Sequence, residues 1–351
     1  MMENVASKKS LTRRTVLAGA GMAIATAQSN TAPLKPRVLR KGDTVGLITP
    51  STAVTDPEKL ATAERTVRYF DLAPKWGKHV GKRAGYLGGS VEERLEDLHA
   101  MFADTTVRAV FCIRGGYGSG QLLDRIDYKL IQANPKLFIG YSDITAMHLA
   151  IQRMTGMVTF HGPVPLSAFT AYTQAAYRAA LFEAKPIGRL TNPEETNQLR
   201  PNHTLRAVRP GRARGRLVGG NLSLVAATMG TPYEIDTRGR ILFIEDIEEQ
   251  PYSIDRMLTQ LRLAGKFDQA AGIVWGECND CSPRTYQPSF VEGTFTTAEV
   301  VDRILGGLKI PVLSGLTIGH TSDQLTLPLG VLAELDADKG TLTIEEAATT
   351  A

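Results

Sequence analysis

Lys136-Leu-Phe-Ile-Gly-Tyr-Ser-Asp-Ile-Thr145 joins an apolar run of strand length to a polar triplet, after which Ile144, Met147, Ile151 and Met154 recur at helical spacing. That is a strand handing over to an amphipathic helix, half of a β-α unit. The pattern repeats outward. Upstream, Thr44–Thr49 reads as a strand, and Asp56-Pro57 as an N-cap with proline at the first helical position, ahead of the stripe Leu60, Ala63, Val67 and Phe70. Ser90 and Glu93 have capping-box spacing before Leu95, Leu98 and Phe102. The strand Val107–Ile113 then enters Arg114-Gly-Gly-Tyr-Gly-Ser-Gly120, a short helix-like stretch follows from Gln121, and Asn134-Pro135 breaks it. Strands alternating with helices predict a parallel α/β sheet with its functional loops at the strands' C-terminal ends. The glycine-rich loop and Ser142 both fall at such ends.

From about Ala168 to Arg214 clear periodicity is lost, and Pro186, Pro193, Pro201 and Pro210 gather among several arginines, which predicts a connection. A second unit begins near Arg216 with LVGGNLSLVAATMG, ILFIED, a helix-like SIDRMLTQLRLAG and the strand AGIVWG. It closes with apolar segments around Ile310–Ile318 and Leu325–Leu335. The expected organisation is a nucleophile-bearing α/β domain over residues 38–167, a connection over 168–214 and a mixed α/β domain over 215–346.

The 351 residues, 43% hydrophobic and 22% charged, suit a globular chain of two ordinary domains and exclude disordered and collagen-like classes. Four of the 40 Lys and Arg and one of the 36 Asp and Glu lie in the first 27 residues, leaving 36 basic against 35 acidic side chains. The formal charge of +4 thus gives no support to a nucleic-acid footprint. Those 27 residues have a signal-peptide plan. Lys8, Lys9, Arg13 and Arg14 precede a Gly/Ala-rich apolar run from Val16 to Ala25, then Ala25-Thr26-Ala27. Thr12-Arg13-Arg14-Thr15-Val16-Leu17 resembles the twin-arginine export motif, so a periplasmic or extracytoplasmic location is expected. No later apolar run approaches the roughly 20 residues that span a bilayer.

Cys278-Asn279-Asp280-Cys281 is a lone C-x-x-C, with Cys112 elsewhere. Without a second C-x-x-C or clustered histidines a zinc site is disfavoured, and a structural or incidental role outweighs a redox one. An oxidising compartment would allow a local disulfide. The loop RGGYGSG matches neither G-x-x-x-x-G-K-[ST] nor a G-x-G-x-x-G opening a strongly helical segment, so a tight turn is favoured over a phosphate cradle.

Ser142 has three readings: nucleophile, N-cap, or neither. Gly140-Tyr141-Ser142-Asp143-Ile144 keeps the first glycine of G-x-S-x-G and lacks the second, and Ser or Asp before a helix is common for structural reasons. A nucleophile needs a base, and the base an orienting partner. Of six histidines, His99 and His148 lie in predicted helices, and His79 and His203 lack a supporting pattern. His161, in Phe160-His161-Gly162-Pro163 past a strand end, and His320, in the polar turn Thr317–Asp323, remain. Glu245 ends the apolar Ile241–Ile244, where a buried charge is costly unless paired, although solvent exposure at a strand end is the more frequent fate of a lone Glu.

Ser142, Glu245 and His320 follow one another as serine, acid and histidine, each placed on a loop after an apolar segment. With IRGGYGS, ANPKLFIGYSDITA, HGP, GRLVGGNLS, ILFIEDIEE, the IPVLSGLTIGHT block and LTLPLGV, the chain resembles the LD-carboxypeptidase family of serine peptidases, which includes the microcin C self-immunity peptidases. These segments span the chain beyond the signal in the family's order. The resemblance implies a flavodoxin-like or Rossmann-like N-terminal domain carrying the nucleophile Ser142 and a smaller C-terminal domain carrying the acid Glu245 and base His320. It implies oxyanion-hole amides at Asp143 and Gly116, a pocket or structural role for His161, a turn at Gly219-Gly220-Asn221, and no metal or cofactor. The implied substrate is a muropeptide tetrapeptide cut before its terminal D-alanine, and RGGYG looks more like the carboxypeptidase branch. Two alternatives stand beside it: a peptidase of the microcin type acting on peptide-nucleotide antibiotics, and a non-catalytic periplasmic wall-peptide binding protein. The partners implied are a muropeptide or other small peptide, with no nucleic acid and no stable membrane insertion after signal removal, and a homodimer as the assembly to test.

Overall fold

The computed structural model describes residues 32–194, 199, 203–283 and 293–351. The predicted signal segment, residues 1–27, lies outside the described residues.

The first half builds as its periodicity predicts. Strands β1 (Thr44–Ile48), β2 (Ala73–Trp76), β3 (Val107–Cys112), β4 (Leu137–Gly140) and β5 (Thr159–His161) pair in parallel in the order β5-β4-β3-β1-β2. The helices between them carry the expected caps. Asp56 accepts the Glu58 amide at 2.9 Å above α1 (Pro57–Tyr69), and Ser90 with Glu93 closes a capping box on α2 (Val91–Ala103). Such caps satisfy amides that have no partner inside the helix. Helices α3 (Tyr128–Ala133) and α4 (Thr145–Thr155) flank β4.

Eight strands form the second sheet. To β6 (Gly188–Leu190), β7 (Arg206–Arg209), β8 (Arg212–Asn221), β9 (Ile241–Ile247), β10 (Gly272–Asn279) and β11 (Val312–Leu316) are added β13 (Leu332–Asp336) and β14 (Thr341–Ile344), ordered β6-β14-β13-β8-β9-β10-β11-β7. Strands β8 to β11 are parallel and the flanking pairs antiparallel. This sheet has more strands than the first because it recruits β6 and β7 from the predicted connection. The same segment also holds the helix α5 (Ala171–Leu181), capped by Thr170 and burying Tyr177, Ala180 and Leu181. In turn β12 (Leu327–Leu329), late in the chain, crosses back and pairs antiparallel with β5 in the first sheet.

Helix α4 is the pivot between the sheets. All seven residues from Thr145 to Ile151 are buried, the mark of a helix covered on every side. Met154, a member of the predicted apolar stripe, is instead 47% exposed because the helix emerges from between its neighbours there. On the second-sheet side a Cβ on Gly220, at φ +145°, would lie 2.5 Å from Thr145 Cγ2. The Asn221 amide donates to Thr145 Oγ1 at 3.0 Å. Gly219-Gly220-Asn221 is therefore the end of a strand and not the expected turn; two glycines at positive φ let that strand approach α4 closely.

Candidate active site

Ser142 follows β4 with φ +63°, a left-handed conformation uncommon for a residue bearing a Cβ. Such strain persists only where the surroundings over-determine it, and it gathers at functional turns. Tyr141 before it is extended, and Ser142–Ile144 is a single 3-10 turn that leads into α4. Neither that turn nor α4 takes a side-chain cap, so the N-cap reading of Ser142 is not realised. Gly140 makes the bend feasible: a Cβ there would lie 2.9 Å from Ile144.

The RGGYGSG loop packs directly on this turn. A Cβ on Gly115 would lie 2.9 Å from Ser142 Cβ and 3.2 Å from its Oγ. Gly116, at φ +104°, leaves room for Thr52, whose hydroxyl accepts the Tyr117 amide at 3.0 Å. Two buried polar groups hold the assembly. Asp143 accepts from Ser51 Oγ at 2.5 Å and from the Ser119 amide at 2.8 Å. Arg94, 2% exposed, donates to the carbonyls of Pro50 at 2.8 Å and Gly118 at 2.9 Å, tying the loop to the end of β1. The predicted role of Asp143 used only its amide, which lies in the first turn of a helix, where amides lack intrahelical acceptors. Its side chain is an anchor that the sequence did not mark.

Glu245 lies inside β9 rather than on a loop after it, and is fully buried. One carboxylate oxygen accepts from His320 Nδ1 at 2.8 Å. A carboxylate can only accept, so Nδ1 carries the proton and Nε2 is left as the basic nitrogen. Gly319, at φ +87°, permits the contact, since a Cβ there would overlap the Glu245 carboxylate. Burial alone would lower the His320 pKa, but the hydrogen bond and charge of Glu245, with Asp246 and Glu248 behind them, raise it above its ordinary value. Asp246 accepts from Asn221 and Ser223 on the far side, and burial, with the charge of Glu245, pushes its carboxyl up to about 6.

Ser142 and His320 line one cleft of about 650 Å³, together with Arg114, Gly116, Tyr141 and Glu248 among others. The Tyr141 ring lies 4.8 Å from that of His320. Burial raises the Tyr141 hydroxyl's pKa, and the Arg114 charge acts against it. Glu245 on β9 and His320 after β11 thus meet as a hydrogen-bonded pair, and His320 shares its cleft with Ser142, which follows β4, and with Gly116.

His161 does not. It ends β5 instead of following it, is fully buried against Phe243 and Tyr141, and is held neutral by burial. His148 is buried too and donates to the Gly140 carbonyl at 2.9 Å, beneath the strained turn. His203 pairs with Glu277 at 2.7 Å, and His99 accepts the Asp127 amide. Cys278 and Cys281 are joined in a disulfide and Cys112 is buried. Among the described residues no group of three or more His, Cys, Asp or Glu is arranged to hold a metal. No described helix is long and apolar enough to cross a membrane.

Residues 45–162 match the LD-carboxypeptidase N-terminal domain and residues 214–335 the LD-carboxypeptidase C-terminal domain. The probable murein peptide carboxypeptidase of Bacillus subtilis is 43% identical over 316 residues, covering 89% of this chain and 94% of its own. The murein tetrapeptide carboxypeptidase of Pseudomonas aeruginosa is 33% identical over 84% of this chain and 94% of its own. The apo structure of the microcin C7 self-immunity protein MccF has a TM-score of 0.80 at 28% identity, covering 91% of this chain and all of that one. With two family domains in order and relatives matched nearly end to end, the chain belongs to the LD-carboxypeptidase family of serine peptidases.

Proposed function

We propose that this protein is an exported serine carboxypeptidase that releases terminal D-alanine from cell-wall muropeptide tetrapeptides through an acyl-enzyme on Ser142. His320 takes the Ser142 proton through Nε2 as Oγ attacks the amide carbonyl, and Glu245 fixes the imidazole tautomer and stabilises its cation. The amides of Asp143 and Gly116 receive the oxyanion, a type of donor whose loss typically costs about 3 kcal/mol. The imidazolium then protonates the leaving amine, and water releases the acyl group. The observation that carries this reading is the 2.8 Å His320–Glu245 pair opening on the same cleft as a serine at φ +63°.

The experiment is product analysis by mass spectrometry on defined muropeptides, with wild type beside Ser142→Ala. D-alanine release by the wild type, its loss in a folded Ser142→Ala chain and a trapped acyl mass support the reading. Release that survives the substitution refutes it, and binding without turnover would make the protein a wall-peptide binder. A second reading, hydrolysis of peptide-nucleotide conjugates, draws on the likeness to MccF, one of whose structures is in complex with aspartyl sulfamoyl adenosine. Offering both substrate classes in one competition separates the two. The N-terminal sequence of the exported form tests the twin-arginine route, and an unprocessed N-terminus there counts against it.

A further inference from the structure

The cleft is electrically lopsided. Its wall from the first sheet carries two exposed cations, Arg114 and Lys59, while the wall from the second carries Glu248. Neither cation has an ion pair or hydrogen bond among the described residues. Lys59 is the third residue of α1, after Pro57 and Glu58. A cation in the first turn of a helix opposes the macrodipole, so local stability does not explain it. Arg114 sits where a buried strand ends, one residue before the glycine whose Cβ position lies 3.2 Å from Ser142 Oγ. Arg114 lines the same cleft as Ser142, so its guanidinium is open to a substrate group in that cleft. A planar fork of donors suits a carboxylate, which it can bind through two parallel hydrogen bonds.

We propose that Arg114, assisted by Lys59, is the subsite for the free carboxylate of the substrate's last residue, and that it restricts the enzyme to cutting one residue from a chain end. The assignment rests on the peptidase reading above. Binding the leaving residue's carboxylate beside Ser142 places the preceding carbonyl at Oγ. Glu248 on the facing wall repels a carboxylate that enters in the reverse orientation. A peptide whose terminus is amidated lacks the charge that Arg114 holds, as does one that continues past the scissile bond.

The test compares a tetrapeptide with its C-terminal amide on wild type, Arg114→Gln, Arg114→Lys and Lys59→Met. Wild type should prefer the free acid by about 100-fold in kcat/KM, the scale set by one desolvated charge-assisted contact. Arg114→Gln should lose about that factor on the acid, chiefly through KM, and change the amide less than threefold. Arg114→Lys should restore part of the preference, since it keeps the charge and loses the fork. Lys59→Met should show a smaller loss of the same kind. Equal losses on acid and amide in Arg114→Gln, or a wild type indifferent to amidation, would overturn the subsite. A wild type that cleaves neither peptide would overturn the peptidase reading, and the subsite with it. Arg114 is exposed, so unchanged melting of Arg114→Gln is expected and separates recognition from folding.

Discussion

Replacing Glu245 by Gln keeps the shape of His320's partner and removes its charge. The two groups meet at 2.8 Å between Nδ1 and Oε2, which puts the centres of charge about 4 Å apart once the imidazole is protonated. At an effective dielectric of about 20, opposite unit charges at that distance attract by about 4 kcal/mol. That stabilisation exists only when His320 is cationic, in the steps flanking the tetrahedral intermediate. At about 1.4 kcal/mol per tenfold, kcat should fall by about a thousandfold. The amide can also donate to Nδ1 and hold the wrong tautomer, which acts in the same direction. At a pH where His320 is neutral, stability should move the other way. Glu245 is fully buried, and its second oxygen has no hydrogen-bond partner among the described residues, so losing the charge relieves a desolvation cost. The assay is D-alanine release with thermal melting measured alongside. A Glu245→Gln enzyme within tenfold of wild-type kcat refutes the electrostatic role, and a large fall in Tm with the activity refutes the claim that the loss is catalytic.

Three further outcomes follow from the same geometry. Because the His320 pKa lies above its ordinary value and the base must be neutral, the acidic limb of kcat/KM should have its midpoint above pH 6.5, moving lower in Glu245→Gln; a midpoint below 6 in wild type contradicts this. Linkage gives the sign for folding: the His320–Glu245 pair adds stability below pH 6.5 that is lost as pH rises through the raised pKa. His148 behaves oppositely, since burial, partly offset by its bond to Gly140, lowers its pKa to about 4. Its contribution is complete above pH 6.5 and is lost as pH falls toward 4, by about 3 kcal/mol. Denaturant midpoints across that range should show the slope, and His148→Gln should flatten it. Finally, Gly115→Ala puts a methyl 2.9 Å from Ser142 Cβ and 3.1 Å from the Tyr141 carbonyl oxygen, displacing Ser142 by a few tenths of an ångström. It should cost about ten- to a hundredfold in kcat and roughly 1–3 kcal/mol of stability; full activity would mean that the loop does not set the serine's position.

The caps of α1 and α2 were legible because each is decided within four residues: Asp56 reaches the Glu58 amide, and Ser90 and Glu93 exchange bonds with each other. The strands β3, β4 and β9 were legible because parallel strands buried on both faces carry near-continuous apolar runs, here Ala109–Cys112, Leu137–Gly140 and Ile241–Ile244. The helix α5 was not, because it lies in a segment whose prolines and arginines mask its period, while its apolar side faces Phe70 and Phe111 from elements far upstream. Nor did the sequence reveal Arg94. It lies in a helix whose apolar stripe looked complete, yet it is buried to hold the carbonyls of Pro50 and Gly118.

For the candidate site the division is sharper. By itself the sequence determined the order of serine, acid and histidine, and the strand-to-helix step at Gly140–Thr145, since residue type and local periodicity are properties of short segments. Only the tertiary structure decided that Ser142 is a strained turn and not a cap, that Glu245 lies within a strand, and that His320 rather than His161 meets it. It also turned the arginine of a glycine loop and the lysine of a first helical turn toward one cleft. Glu245 and His320 are 75 residues apart, and a contact across that distance is fixed by which strands pair and what they bury. No segment short enough to be read alone contains that information.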